Sequence, residues 1–194
     1  MPPVCNFGWR APGFHLPGVD GRMVLDRIRG SKDTAAIPVL VSTAFGNDSV
    51  ERGFLEAGAD CIATATYQAS FEGFERMGLS RQEAKRTMLE SVLLAARAVD
   101  DFWSAAENRE ARMRPLVAAS LGPYGAFLAD GSEYHGRYGV GRGVLHGFHR
   151  DRLAVMATSV GDLIALETIQ WDTMGELAFR MHFSQHHFVM KKQF

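Results

Sequence analysis

Apolar positions along the chain fall into short compact runs separated by longer stretches of helical period, and this alternation predicts most of its elements. Val24, Leu25 and Ile28 share one stripe of a short amphipathic helix over Gly21–Arg29. Ile37–Thr43 (IPVLVST) is a β-branched run without polar alternation, as expected of a strand buried on both faces. Pro38 sits near its start, where a missing amide donor is tolerated. Asn47 or Asp48 can cap the helix that follows, and Gly58 is placed to end it. Cys61–Thr66 (CIATAT) predicts a second strand. Ser80 and Glu83 form a capping box, in which hydroxyl and carboxylate satisfy orphan amides reciprocally. It opens a long helix with Met88, Val92, Ala96 and Val99 on one stripe and Leu89, Leu93 and Trp103 beside it. A charged linker, Glu107–Arg114, leads to a third strand, Leu116–Ser120, ending at Gly122-Pro123. Residues 126–143 read as a Gly- and Tyr-rich loop, Val144–Thr158 as a helix, and Asp162–Thr168 (DLIALET) as a fourth strand. Residues 1–18, rich in Pro, Gly and aromatics, follow neither period and are expected to be irregular.

Strands that alternate with helices predict an α/β fold, a parallel sheet with right-handed crossovers. In such sheets, open or closed, chemistry gathers at the carboxyl ends of the strands. The second strand delivers Thr64, Thr66, Tyr67, Gln68 and Ser70 there. The third delivers Gly122-Pro123-Tyr124-Gly125 and then Asp130–Tyr134, and the fourth Glu167 and Thr168. A carboxylate leaving a buried strand is costly unless partnered. Glu167 therefore has two readings: it meets a ligand ammonium or basic neighbour, or it caps a helix or pairs with an arginine. The Thr66, Tyr67 and Gln68 side chains suit a small amino-acid carboxylate, and they equally suit ordinary loop hydrogen bonding.

Composition narrows the setting without naming a function. With 46% apolar and 22% charged residues, the chain can build a packed core. Its 194 residues suffice for one ordinary α/β domain or for part of a (β/α)8 barrel, which takes about 250. A formal charge of −1 gives no general attraction to nucleic acid or an anionic membrane, and neither is expected as a partner. No apolar run approaches the roughly 20 residues of a membrane span. The opening MPPVCNFGWRAPG lacks the basic flank and apolar stretch of a secretory signal. Two cysteines, Cys5 and Cys61, make no disulfide framework, so a reducing cytoplasm is the expected location.

Longer words in the sequence carry a resemblance. AGADCIATATYQASFEGF (57–74), GLS (78–80), AASLGPYGAFLADGSEYHGRY (118–138), FHRDR (148–152) and DLIALETI (162–169) stand in order and at fitting spacing. Over residues 54 to 169 the chain resembles the homocysteine S-methyltransferase family. The resemblance implies a (β/α)8 barrel that transfers a methyl group to homocysteine sulfur from sulfonium or ammonium donors such as S-methylmethionine. This chain would hold part of it: parallel βα units, about four strands, incomplete or open. Glu167 would hold the homocysteine ammonium, Thr66 would line the pocket with Tyr67 and Gln68 nearby, and the Tyr124 loop would lie near the donor. A free thiol is mostly protonated at neutral pH. The family supplies the thiolate with zinc held by three cysteines, all in the second half of the barrel.

The flanks depart from that pattern. After Ile169 the family pattern stops, and the tail 170–194 shows neither a fifth strand in the expected style nor a cysteine. Cys61 starts the second strand, opposite the expected site, so zinc is not expected to bind this chain. His182, His186 and His187 have metal-compatible spacing but read as part of a solvated basic-aromatic tail. On the other side, Asp20-Gly21 matches the family's opening Asp-Gly motif only as a dipeptide. LPGVDG (16–21), IR (28–29), IPVLVSTA (37–44) and LEAGAD (55–60) instead resemble the latter half of a response-regulator receiver domain. That resemblance would place the phosphoacceptor at Gly13 and the lysine near Ala65, retaining only the hydroxyl at Thr43, so phosphotransfer is not expected. The resulting division is an irregular 1–18, a receiver-like 19–60, a methyltransferase-like half-barrel 61–169 and an unmatched 170–194. A half-barrel leaves sheet edges open, and self-association through them is expected.

Overall fold

A computed structural model of the chain describes residues 5–8, 20–42, 48–110, 112–169 and 187–190. Six short strands form one parallel sheet in chain order: β1 (Cys5–Gly8), β2 (Val39–Ser42), β3 (Cys61–Ala63), β4 (Leu116–Leu121), β5 (Leu163–Leu166) and β6 (His187–Met190). The helices between them are α1 (Gly21–Gly30), α2 (Asp48–Glu56), α3 (Phe71–Arg76), α4 (Arg81–Ser104), α5 (Tyr124–Leu128) and α6 (Arg142–Met156). Strictly sequential order distinguishes this sheet from a doubly wound one, whose order reverses at a switch point. It is the arrangement of an arc of a (β/α)8 barrel.

Side-chain parity assigns the two faces, because successive residues of a strand point to opposite sides. Val39, Val41, Ile62, Val117, Ala119, Leu121, Ile164 and Leu166 pack with the helices in the main core. The alternate positions Leu40, Cys61, Ala63, Ala118 and Ala165 form a separate cluster on the other face. The helix side is mostly Val, Ile and Leu, and the other, concave side is mostly Ala and Cys with Leu40. Fully burying each large side chain is worth roughly 1.5–3 kcal/mol. From α4, Met88, Val92 and Val99 supply the facing layer as the stripe predicted, while Leu93 stays 36% exposed.

Helix boundaries follow local chemistry. Asp20 caps α1 by accepting the Met23 amide at 2.9 Å, and Ser80 and Glu83 complete the capping box of α4. Ser70 caps α3, a six-residue helix absent from the sequence reading because it is too short to show a period. Part of the 126–143 loop is also regular: α5 runs to Leu128, and a 3₁₀ turn spans Ser132–Tyr134. The first expected strand is shorter than Ile37–Thr43, since Ile37 closes a turn onto Thr34, 3.0 Å away.

Two expectations about the ends are corrected. Cys5–Gly8 pairs with Val39–Ser42, and His187–Met190 pairs with Leu163–Leu166, both in parallel. With these two runs the described residues hold six strands, one on each side of the four expected from the sequence. Four-residue segments beside glycine or histidine are too short for a pattern to reveal. The sheet also continues from β2 to β3 without a break at 60–61, with Val41 opposite Ile62.

The amino ends of the strands share one device. Asp60 accepts the Val39 amide and Asp162 the Val117 amide, each at 2.8 Å. Each aspartate precedes its own strand and closes the ladder of the strand before it. Arg29 binds Asp60, and Arg114 approaches Asp162 at 3.6 Å. Replacing Asp162 with Ala removes the acceptor and leaves a partly buried amide unpaired. The expected loss is about 1–3 kcal/mol in urea unfolding, with Asp162→Asn recovering part of it.

A second prediction concerns pH. His149 on α6 is buried, and that burial, reinforced by the Arg152 charge, lowers it from 6.5 to about 3. Between those values the unfolded chain binds a proton that the folded chain excludes. Stability from this group is therefore complete above the window and declines as pH falls through it. Relative to His149→Leu, the wild type should lose about 2 kcal/mol of unfolding free energy between about pH 7 and about pH 5. Urea titrations of both proteins across that range measure it.

Candidate functional site

At the carboxyl ends of β3 and β4 the backbone ladder is continued by side chains. Thr64 N–H donates to Ala118 C=O at 2.9 Å, the last bond of regular pattern. A parallel ladder would next use Ser120 N–H to Thr64 C=O, then Thr66 N–H to Ser120 C=O. Here the hydroxyls of the same two threonines take those places. Ser120 N–H donates to Thr64 Oγ1 at 3.1 Å, and Thr66 Oγ1 donates to Ser120 C=O at 2.7 Å. The two hydroxyls lie 2.6 Å apart. The main chain after Thr64 is thereby released into the turn that carries Tyr67 and Gln68.

Beside this junction stands Glu167, one residue past β5 and 8% exposed. Its amide continues the β4–β5 pairing by donating to Leu121 C=O at 3.0 Å. Parity places its side chain with Leu163 and Ala165, on the concave face. Its Oε1 accepts from Ser120 Oγ at 2.5 Å. Thr168 follows with φ at 58°, an outlier for a β-branched residue that costs roughly 1–3 kcal/mol. The strand thus turns sharply just after presenting the carboxylate.

Tyr67 closes the same region. Its hydroxyl donates to Glu133 Oε2 at 3.2 Å. Burial raises the phenol above its ordinary range; hydrogen bonding with Thr168 opposes this, and Glu133 and Glu167 add to it. Tyr67 therefore remains a neutral donor. Gln68 is exposed. Tyr124, at the start of α5, is half-buried in an aromatic group, with its ring 5.0 Å from Phe148, 5.4 Å from Phe127 and 5.7 Å from Tyr138. Thr66, Tyr67 and Glu167 thus share one neighbourhood at the strand ends, while Gln68 and Tyr124 lie at its margin.

The GPYG turn owes its glycines to close approach. A Cβ on Gly122 would lie 2.7 Å from Tyr67 C=O and 2.8 Å from its ring; one on Gly125 would lie 2.3 Å from the Glu133 amide nitrogen. Arg152 of α6 ties the two strand exits together by donating to Gly122 C=O at 2.8 Å and to Tyr67 C=O at 3.0 Å. Its guanidinium stacks 4.8 Å from the Phe148 ring centroid. Burial lowers Arg152 to about 10, with Glu72 and Tyr67 acting the other way, so it stays cationic near neutrality.

Ser120 and Arg152 line this neighbourhood and were not singled out from the sequence. Arg152 had a signal: a charge among the buried Phe148, Leu153, Val155 and Met156 of α6. Ser120 had a fainter one, since it shares the concave parity of Ala118. Glu133 lay in the Asp130–Tyr134 segment expected at the strand ends, and the structure pairs it with Tyr67.

The three-cysteine zinc centre implied by the resemblance does not fit this chain. There are two cysteines in the sequence. Cys61 lies on the concave face at the start of β3, the opposite end from Glu167. Burial raises its thiol to about 12, with Asp162, Asp60 and Glu167 adding to the shift. Such a thiol stays protonated and makes a poor ligand. Among the described residues no group of three or more His, Cys, Asp and Glu side chains could hold a metal ion. His182 and His186 lie outside the described residues, as do Gly13 and Thr43 of the receiver-like reading. No helix among the described residues is long and apolar enough to cross a membrane.

Comparison with known proteins bears on the whole arrangement. A family model described as homocysteine S-methyltransferase matches residues 48–189. The chain is 48% identical over 132 residues to homocysteine S-methyltransferase YbgG of Bacillus subtilis (strain 168), covering 68% of this chain and 42% of that protein. It is 42% identical over 171 residues to homocysteine S-methyltransferase 2 of Arabidopsis thaliana, covering 84% and 49%. The fold is similar to the crystal structure of the homocysteine methyltransferase MmuM from Escherichia coli in its metallated form. There the TM-score is 0.66 and the identity 36%, over 73% of this chain and 49% of that one. The chain spans about half the length of the curated relatives it matches. The match runs past Ile169 through most of β6, so the expected end of the family pattern at Ile169 is corrected. It also begins inside the receiver-like segment, and the receiver resemblance finds no support. With the sequential parallel sheet and the strand-end residues on this half of the barrel, the chain belongs to the homocysteine S-methyltransferase family.

Proposed function

We propose that the chain provides the amino-acid-binding part of a homocysteine S-methyltransferase, which moves a methyl group from a sulfonium donor such as S-methylmethionine to homocysteine, giving methionine. The observation that carries this reading is Glu167: a buried carboxylate on the concave face at a strand end, already oriented by one hydroxyl. An ammonium brings three donors and a positive charge, which match that acceptor. Tyr67, kept as a phenol with its hydroxyl donating to Glu133, packs beside it and closes the region. Gln68 and the Tyr124 loop form the outer margin, where the donor would approach. Thr66 contributes by shaping the turn, because its hydroxyl proton is committed to Ser120 C=O.

In the transfer the homocysteine sulfur forms a bond to the methyl carbon while the sulfonium–carbon bond breaks, releasing a neutral thioether; the thiol proton must leave first. A free thiol near pKa 8.5 is mostly protonated at neutral pH. With two cysteines in this chain, binding and turnover separate. A second reading, a binding module without turnover by itself, is favoured by that cysteine count. We place the protein in the cytoplasm, where two cysteines stay reduced. The outer edges of β1 and β6 are surfaces for self-association.

Homocysteine should raise the melting temperature of the chain, and Glu167→Ala should abolish the rise, with at least about a 30-fold loss of affinity from removing a buried ionic partner. Scanning fluorimetry across a homocysteine series measures both. Metal analysis of the purified chain should find far less than one zinc per chain. Incubation with S-methylmethionine and homocysteine should then give no methionine above background. Stoichiometric zinc together with turnover would favour the complete enzyme.

A further inference from the structure

We propose that Ser120 is a positioning residue for ammonium recognition: its hydroxyl fixes the Glu167 carboxylate in the orientation that receives the primary ammonium of an α-amino acid. The proposal rests on the homocysteine reading and extends it to a residue that acts through another.

The proton count at the β3–β4 exit leads to Ser120. Its side chain is fully buried. Its carbonyl can only accept, so Thr66 spends its single hydroxyl proton there. In the 2.6 Å contact between the threonines, Thr64 must then be the donor, and its proton is spent too. The result is a one-way circuit: Ser120 N–H to Thr64, Thr64 O–H to Thr66, Thr66 O–H to Ser120 C=O. Neither threonine has a proton left for a ligand or for Glu167. The hydroxyl proton that reaches the carboxylate comes from Ser120.

The circuit also clamps the Ser120 peptide at both its N–H and its C=O. Its Oγ is therefore placed by the rigid end of β4, not by a loop. Glu167 needs such a fixed point. The terminal torsion of a glutamate is broad, and its main chain leads directly into the left-handed Thr168. Held by Ser120, the carboxylate presents a defined face to the concave side. Losing that bond removes one constraint on the carboxylate's orientation, and its preference for an ammonium over an uncharged hydrogen should weaken.

Calorimetric titration with homocysteine and with γ-mercaptobutyrate, which lacks only the amine, tests this. Wild type should bind homocysteine more tightly, and Ser120→Ala should shrink the ratio of affinities by about tenfold or more, as expected for losing a hydrogen bond to a charged group. Ser120→Thr, which keeps the hydroxyl, should hold the ratio within about threefold of wild type. If Ser120→Ala does not fold, Ser120→Cys, close in volume but a far weaker donor, carries the same expectation. A merely structural serine would weaken both ligands together and leave the ratio unchanged, and that result would overturn the proposal while leaving the homocysteine site standing. Wild type that binds neither ligand would overturn the homocysteine reading and this proposal with it.

Discussion

The carboxyl end of β4 depends on a substitution of side chain for main chain. Thr64 and Thr66 satisfy the Ser120 peptide with their hydroxyls, so the backbone of β3 can leave the sheet without orphaning buried groups. An unpaired buried amide or carbonyl would cost about 1–3 kcal/mol. The turn bearing Tyr67, the approach of Gly122 to that turn and the orientation of Glu167 all follow from this exchange.

A second layer of support comes from α6. Arg152 is a buried cation that donates to two main-chain carbonyls, one from each strand exit. Desolvating a guanidinium is expensive, and carbonyl dipoles with an aromatic face recover part of the cost. Burial of Arg152 and of the neutral His149 beside it explains why a helix on the convex side contributes to a site at the strand ends. The same helix packs its apolar residues into the core that anchors the sheet.

The distribution of thiols separates recognition from activation. Glu167 and Tyr67 stand at one end of the sheet; Cys61 stands at the other, protonated and enclosed by Leu40, Ala63, Ala118 and Ala165. The ammonium recognition proposed for Glu167 draws on residues of this half of a barrel alone. A three-thiolate metal centre needs cysteines that these 194 residues do not contain.

Much of the fold was legible from local chemistry. The capping box at Ser80, the stripe of α4 and the apolar runs of β2 to β5 each depend on neighbours a few residues apart, which a linear pattern records. The short strands at Cys5–Gly8 and His187–Met190 did not register, because a four-residue run becomes a strand only when a paired edge receives it. For the site, the sequence by itself determined that Glu167 leaves a buried strand and must find a partner. Only the tertiary structure decided which: Ser120, 47 residues earlier, held by hydroxyls from a third strand. Parity alone did not single out Ser120, since a hydrogen bond across two strand ends depends on register and on where each backbone leaves the sheet.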